Sequence, residues 1–81
     1  MHSVYVLKSL KNGKCYVGYT GKKVAVRLKE HNTGSNSFTR LNRPFVLLRS
    51  EQYGDKKMAL KREHFLKSGQ GRKFLNELLG R

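Results

Sequence analysis

The stretch from Tyr16 to Asn32, YVGYTGKKVAVRLKEHN, constrains the fold more than any other part of the chain. It begins with strand-forming residues, turns at Thr20-Gly21, and continues with Val24, Ala25 and Leu28 recurring on one side, which predicts a strand running directly into a helix. At 100° per residue, Arg27 and His31 fall on one row of that helix, along one edge of its apolar stripe. A surface arginine points away from such a stripe. One at its margin faces the cleft between helix and strand, where an anion can meet it, and the strand delivers Tyr16 to the same region. A phenol, a guanidinium and an imidazole in one short unit point to phosphate chemistry, although each alone has an ordinary structural explanation.

The residues before this unit pair with it. Ser3 to Ser9 (SVYVLKS) is rich in β-branched and aromatic residues and reads as a strand. Lys11-Asn12-Gly13-Lys14 then carries the Asn-Gly signal of a tight hairpin, so the strand from Cys15 folds back on the first. A two-residue turn at Asn12-Gly13 pairs Lys11 with Lys14, Ser9 with Tyr16 and Leu7 with Gly18. Parity places Tyr5, Leu7, Tyr16 and Gly18 on one face and Val4, Val6, Val17 and Tyr19 on the other. In that register Tyr5 and Tyr16 are separated by about 13 Å at roughly 3.3 Å per residue, and a bulge would bring them closer. Packing in a core is the competing explanation for both tyrosines.

Beyond the first helix, Asn32 to Ser37 reads as a polar loop, with Gly34 just past the helix end. Phe38 to Pro44 reads as a loop whose Thr39, Arg40 and Arg43 suit backbone phosphates, a solvated loop being the alternative. Pro44 leads into a third strand, Phe45 to Tyr53, with its apolar first half expected to be buried. Asp55 is a candidate N-cap for a second helix with Met58, Ala59, Phe65 and Leu66 on its apolar face and Gly69 at its end. Glu63 sits at the margin of that face. It can offer an oxygen ligand to a divalent cation or pair with Lys67 or Arg62 on the helix surface. After a Ser68-Gly69-Gln70-Gly71 turn, a last helix from Arg72 to Leu79 buries Phe74, Leu75, Leu78 and Leu79. The order of elements along the chain is therefore strand, strand, helix, strand, helix, helix.

Eighteen Lys and Arg against five Asp and Glu give a formal charge of +13 on 81 residues. That is far more than solubility requires, and a polyanion is the partner such repulsion favours, nucleic acid before a ribosomal or anionic membrane surface. Lys22, Lys23, Lys67 and Arg72 are candidate contacts. No apolar run approaches roughly 20 residues and no signal-peptide core opens the chain, so insertion in a membrane is excluded and the cytoplasm is expected. The length suits one domain spanning residues 1–81. The single Cys15 allows no internal disulfide, and His2, His31 and His64 lack ligand spacing, so structural zinc is not expected.

Val4-Tyr5-Val6 followed by Tyr16-Val17-Gly18 resembles the paired tripeptides of the GIY-YIG nuclease family. Arg27 to Asn32 (RLKEHN) and Ala59 to Glu63 (ALKRE) resemble that family's helix motifs, and the match covers nearly the whole chain. The chain looks most like the small stand-alone members. The resemblance implies an α+β fold, a three-stranded antiparallel sheet flanked by about three helices, and metal-dependent hydrolysis of a DNA phosphodiester, with RNA a less expected substrate. Tyr16 would be the general base or water-positioning group, Tyr5 would hydrogen-bond the nucleophile or phosphate, and Arg27 would bind the scissile phosphate. Glu63 would hold Mg²⁺ or Mn²⁺, His31 matches a further site position, and Asn76 lies where some relatives place a late asparagine.

Three positions depart from the family pattern. Val4 replaces the first glycine, and Tyr19 follows Gly18 where a lysine is common, leaving Lys22, Lys23 or the metal to lower the tyrosine pKa from near 10. The segment from Tyr16 to Arg27 is one residue longer than in many relatives. Repair or recombination is the expected setting, with a partner or oligomer assisting target choice. A nucleic-acid-binding module with little catalysis is the alternative, and a ribosome-associated basic protein a third.

Overall fold

The structure is a computed structural model that describes residues 2–34 and 37–80. Its elements are β1 (His2–Ser9), β2 (Cys15–Thr20), α1 (Val24–Asn32), α2 (Ser37–Asn42), β3 (Phe45–Tyr53), α3 (Lys56–Lys67) and α4 (Gly69–Leu78). The sheet is antiparallel in the order β2-β1-β3, which makes this an α+β fold with four helices. The most apolar strand takes the middle place. Ser3 through Leu7 are buried without interruption because β1 has a strand on each edge and helices over both faces. Val4 and Val6 meet Val17, Ala59, Leu66 and Leu75 on the α3 and α4 side. Tyr5 and Leu7 meet Phe45, with Tyr16, Val24 and Leu28 packed around them, on the α1 side.

The two faces are those expected, but the hairpin register is not. Tyr5 pairs with Gly18, Leu7 with Tyr16 and Lys8 with Cys15. The strands close at Ser9 and Lys14, whose N–H and C=O bond at 2.8 Å, leaving a four-residue connection. Ser9 causes the difference. Its hydroxyl accepts from the Lys11 and Asn12 amides, its carbonyl accepts from Gly13, and Gly13 takes a φ of 76° at the far side of the turn. A shift of two residues keeps every side chain on its face while halving the offset between Tyr5 and Tyr16. No bulge between these strands is needed. The register irregularity lies between β1 and β3, at Val6 and Leu7.

Several other expectations are corrected. Phe38 to Pro44 is not all loop, since Ser37–Asn42 forms α2; residues 35–36 of the expected polar loop lie outside the described residues. In β3 only Phe45 of the apolar half is buried. Val46, Leu47 and Leu48 are exposed because β3 is an edge strand and the helices centre on β1. Met58 is exposed, and α3 turns Ala59 and Leu66 inward instead. Leu78 is likewise exposed, while Leu75 carries the α4 contact. The polar half of β3 is tied down by Glu51, which accepts from Arg62 of α3 at 2.8 and 3.1 Å, from Arg49 at 2.8 Å and from Tyr53 at 2.8 Å. Burial opposes ionisation of Glu51, and these donors outweigh it and bring its pKa down to about 2.

Gly69 does not merely end α3; it opens α4. Ser68 closes one helix and caps the next, its hydroxyl accepting from the Gly71 amide at 3.3 Å. The tight corner needs Gly71, since a Cβ there would lie 2.1 Å from the Phe65 carbonyl oxygen and 2.4 Å from Leu66 Cα. Both neighbours are backbone and cannot rotate away. Gly71→Ala is expected to cost about 2 kcal/mol or more by urea unfolding, although alanine is the better helix former.

Candidate active site

Gly18 and Tyr5 explain each other. They are cross-strand partners on the α1 face, and the Tyr5 ring lies over Gly18 so closely that a Cβ there would meet Oη at 2.4 Å. This space lets the phenol reach α1. Tyr5 Oη stands 2.8 Å from His31 Nε2 and 3.3 Å from Arg27 Nε, so the two residues one helical turn apart converge on one oxygen. The Tyr16 ring stands edge-on to the His31 ring at 4.9 Å and 6.5 Å from the Tyr5 ring. The structure therefore brings Tyr5, Tyr16, Arg27 and His31 together, and the extra residue before Arg27 does not turn the guanidinium away.

Burial sorts their chemistry. His31 is 0% exposed, and its Nδ1 has no hydrogen-bond partner among the described residues. The less costly tautomer puts the proton on Nε2, donating to Tyr5; the other would bury an unmet N–H. Burial, followed by the neighbouring Arg27 charge, lowers the His31 pKa. Tyr5 is 1% exposed, and burial raises its pKa against the hydrogen bond from Arg27, with the Tyr16 and Glu63 charges also opposing ionisation. A phenol so placed holds its neighbours and stays protonated. Tyr16 is only half-buried.

Arg27 has a second partner that its sequence position did not single out. Its Nη1 donates to Glu30 Oε1 at 3.1 Å, and Lys22 Nζ meets Glu30 Oε2 at 2.9 Å. The i,i+3 spacing of Arg27 and Glu30 is the signal that could have found it. Glu63, on α3, sits 3.2 Å from Lys67 Nζ, whereas Arg62 belongs to Glu51. Among the described residues no group of three or more His, Cys, Asp or Glu converges, so Glu63 would be a lone carboxylate ligand if it held a divalent cation. One carboxylate completed by water and phosphate oxygens suits Mg²⁺, which keeps much of its hydration shell. Tyr19 is bonded to His2 Nδ1 at 2.7 Å on the α3 side of the sheet, so it faces away from Tyr16.

The cationic candidates separate into groups. Lys22 and Lys23 lie at the amino end of α1. Lys67, Arg72 and Asn76 share a cavity of about 670 Å³ with Lys14, which the sequence did not single out, over a floor of Val17, Leu66 and Leu75. Arg40 and Arg43 are exposed in and after α2; the side chain of Thr39, in the same helix, lies outside the described residues. No helix among the described residues is long and apolar enough to cross a membrane.

Comparison with known proteins bears on this arrangement. Residues 1–76 match a family model described as the GIY-YIG catalytic domain. UPF0213 proteins of Staphylococcus aureus strains COL and Mu50 are 40% identical over 68 residues, covering 83% of this chain and 80% of each relative. The solution NMR structure of the UPF0213 protein BH0048 from Bacillus halodurans superposes with a TM-score of 0.57 at 34% identity, covering 95% of this chain and 83% of that one.

The His31 environment makes a prediction about pH. A base whose folded pKa is lowered binds fewer protons than the unfolded chain, so stability falls as pH drops below the unfolded value near 6.5 and continues to fall toward the depressed folded value. Urea unfolding from pH 7 to 5 should show this decline, and His31→Gln should remove its share of the slope. An unchanged slope in the variant would assign the decline to other groups.

Proposed function

Since this chain belongs to the GIY-YIG family, a family of nuclease-type catalytic domains, we propose that it is a metal-dependent DNA endonuclease that hydrolyses phosphodiester bonds. Residues 1–81 would act as one nuclease domain in the cytoplasm, in repair or recombination. The observation that carries this reading is the convergence of Arg27 and His31 on Tyr5 beside the half-buried Tyr16. An anionic diester resists attack by water until its non-bridging oxygens are neutralised, and Arg27 supplies a planar donor fork for them as charge accumulates. Tyr5 and His31 fix that fork from behind. In this reading Tyr5 is a positioning residue, since its hydroxyl already serves Arg27 and His31.

Tyr16 orients the attacking water and, as a phenolate, accepts its proton to become the phenol, and the substrate displaces Glu30 from Arg27 as it binds. Glu63 would hold Mg²⁺ or Mn²⁺, which when bound supplies positive charge to the leaving 3′ oxygen and a water that can protonate it. Lys22, Lys23, Arg40, Arg43, Lys67, Arg72 and Asn76, with Thr39, would bind the rest of the strand through its phosphates. A second reading, a binding module with little catalysis, is favoured by one feature: Arg27 and Glu63 are each already neutralised by an ion pair.

Cleavage of a labelled panel of duplex, flap, branched and single-stranded DNA, with RNA alongside, separates the two. Arg27→Ala should lower kcat by on the order of 10²–10³-fold. Glu63→Gln should reduce cutting to the level seen with chelator. Tight, salt-dependent binding with no cutting of any substrate, unchanged in both variants, would leave only the binding module.

A further inference from the structure

A second cavity lies on the α1 face of the sheet, one step along β1 from the Tyr5 site. It holds about 470 Å³ and is lined by Ser3 of β1, Ser50 and Gln52 of β3, and Gly21, Lys22, Lys23 and Val24 at the amino end of α1. Strand pairing explains the lining. Ser3 stands opposite Gln52, and Tyr5 opposite Ser50, so all four side chains leave the same face. Where Tyr5 would be followed by another apolar residue in a sealed core, the sheet instead presents two hydroxyls and an amide. Ser3 is 3% exposed, yet its hydroxyl has no hydrogen-bond partner among the described residues, and neither do the Ser50 and Gln52 side chains. The Ser3 hydroxyl opens onto the cavity, where a ligand oxygen can take the place of water as its partner.

The helix end above it is open in the same sense. No side chain caps α1, and its first turn contains no acidic residue. The Val26 and Arg27 amides both bond back to the Lys23 carbonyl, at 3.1 and 3.2 Å, and the Lys22 amide is taken by Thr20 Oγ1 at 3.0 Å. That leaves the Val24 and Ala25 amides as unmet donors at the positive end of the helix dipole. Two lysines, two unmet amides, two hydroxyls and a carboxamide fit a phosphate, whose oxygens accept from all of them.

We propose that this cavity binds a backbone phosphate of the substrate strand, adjacent to the one held by Arg27. The assignment rests on the nuclease reading for the identity of the ligand and on the cavity for its site. Ser3 and Tyr5 are two residues apart on β1, about 7 Å at roughly 3.3 Å per residue, which is comparable with one nucleotide step of a backbone. Glu30 joins the two places, holding Lys22 at one rim and Arg27 at the other. A strand entering the site releases both cations from the same carboxylate.

The test is an amide-resolved NMR titration of the whole chain with inorganic phosphate, followed by DNA-binding isotherms. Phosphate should shift the Ser3, Val24 and Ala25 amides saturably, and Gln52→Glu, an exposed substitution, should abolish those shifts. The same variant should weaken DNA binding about tenfold and reduce the salt slope by about one phosphate. Shifts confined to the region of Arg27, or unchanged by Gln52→Glu, overturn the proposal. So does phosphate binding without any change in DNA affinity, which would mark a site for a free anion only. The nuclease reading fails separately: saturable shifts with the expected loss of DNA affinity, but no cleavage, keep the subsite and remove the enzyme.

Discussion

The contact on which the structure depends is the Tyr5 hydroxyl receiving Arg27 and His31. It is the polar centre of the apolar cluster of Tyr5, Leu7 and Phe45, and three elements are arranged to make it possible. β1 must be the middle strand for Tyr5 to be buried, β2 must place Gly18 opposite it to leave room for the ring, and α1 must cross the sheet so that one of its rows faces down. A buried phenol without partners would destabilise the core; with two donors it fixes the rotation of α1 about its own axis. The same bonds set the direction of the Arg27 guanidinium, so the demands of folding and those of the proposed anion binding would fall on one oxygen atom.

The five acidic residues show how a chain with a formal charge of +13 spends its few carboxylates. Glu51 fastens the edge strand β3 to α3 through Arg62, with Arg49 and Tyr53 beside it. Asp55 caps α3 by accepting from the Lys57 amide at 2.8 Å. Glu30 and Glu63 instead sit against cations at the candidate site, where surface ion pairs contribute little to stability. Glu77, on α4, is exposed. Two acids are thus structural in effect and two sit where a phosphate or a cation would compete for their partners.

Face assignment was legible in the sequence because it depends only on parity, and a period of two survives an even error in register. The convergence of Arg27 with His31 was legible for a similar reason, since helical spacing alone puts them in one row. What parity and spacing do not encode is where a hairpin closes. Ser9 decides that through side-chain bonds to the Lys11 and Asn12 amides, a local competition that the Asn-Gly signal conceals. Nor do they encode which strand becomes an edge. Phe45 to Leu48 reads as a buried run, but burial follows from the helices above a strand, and β3 has too little cover for Val46, Leu47 and Leu48. The margin position of Glu63 suits a surface pair and a metal ligand equally, and in the structure it pairs with Lys67 while its charge still reaches Tyr5.

Those two ion pairs bear on the order in which a substrate could be engaged. Arg27 with Glu30 and Lys67 with Glu63 leave the resting site nearly balanced in charge, so in the proposed reading a strand would first meet cations that are not committed. Among the described residues the Lys14, Lys23 and Arg72 side chains carry no ion pair, and they lie on opposite sides of the cluster, at the amino end of α1 and around the cavity under β2. A polyanion held at both flanks brings its phosphate to Arg27 at high local concentration, which is the condition under which it can displace a partly exposed carboxylate. In the proposed reading the flanking cations would set affinity, while the Tyr5 cluster would set where on the strand the guanidinium acts.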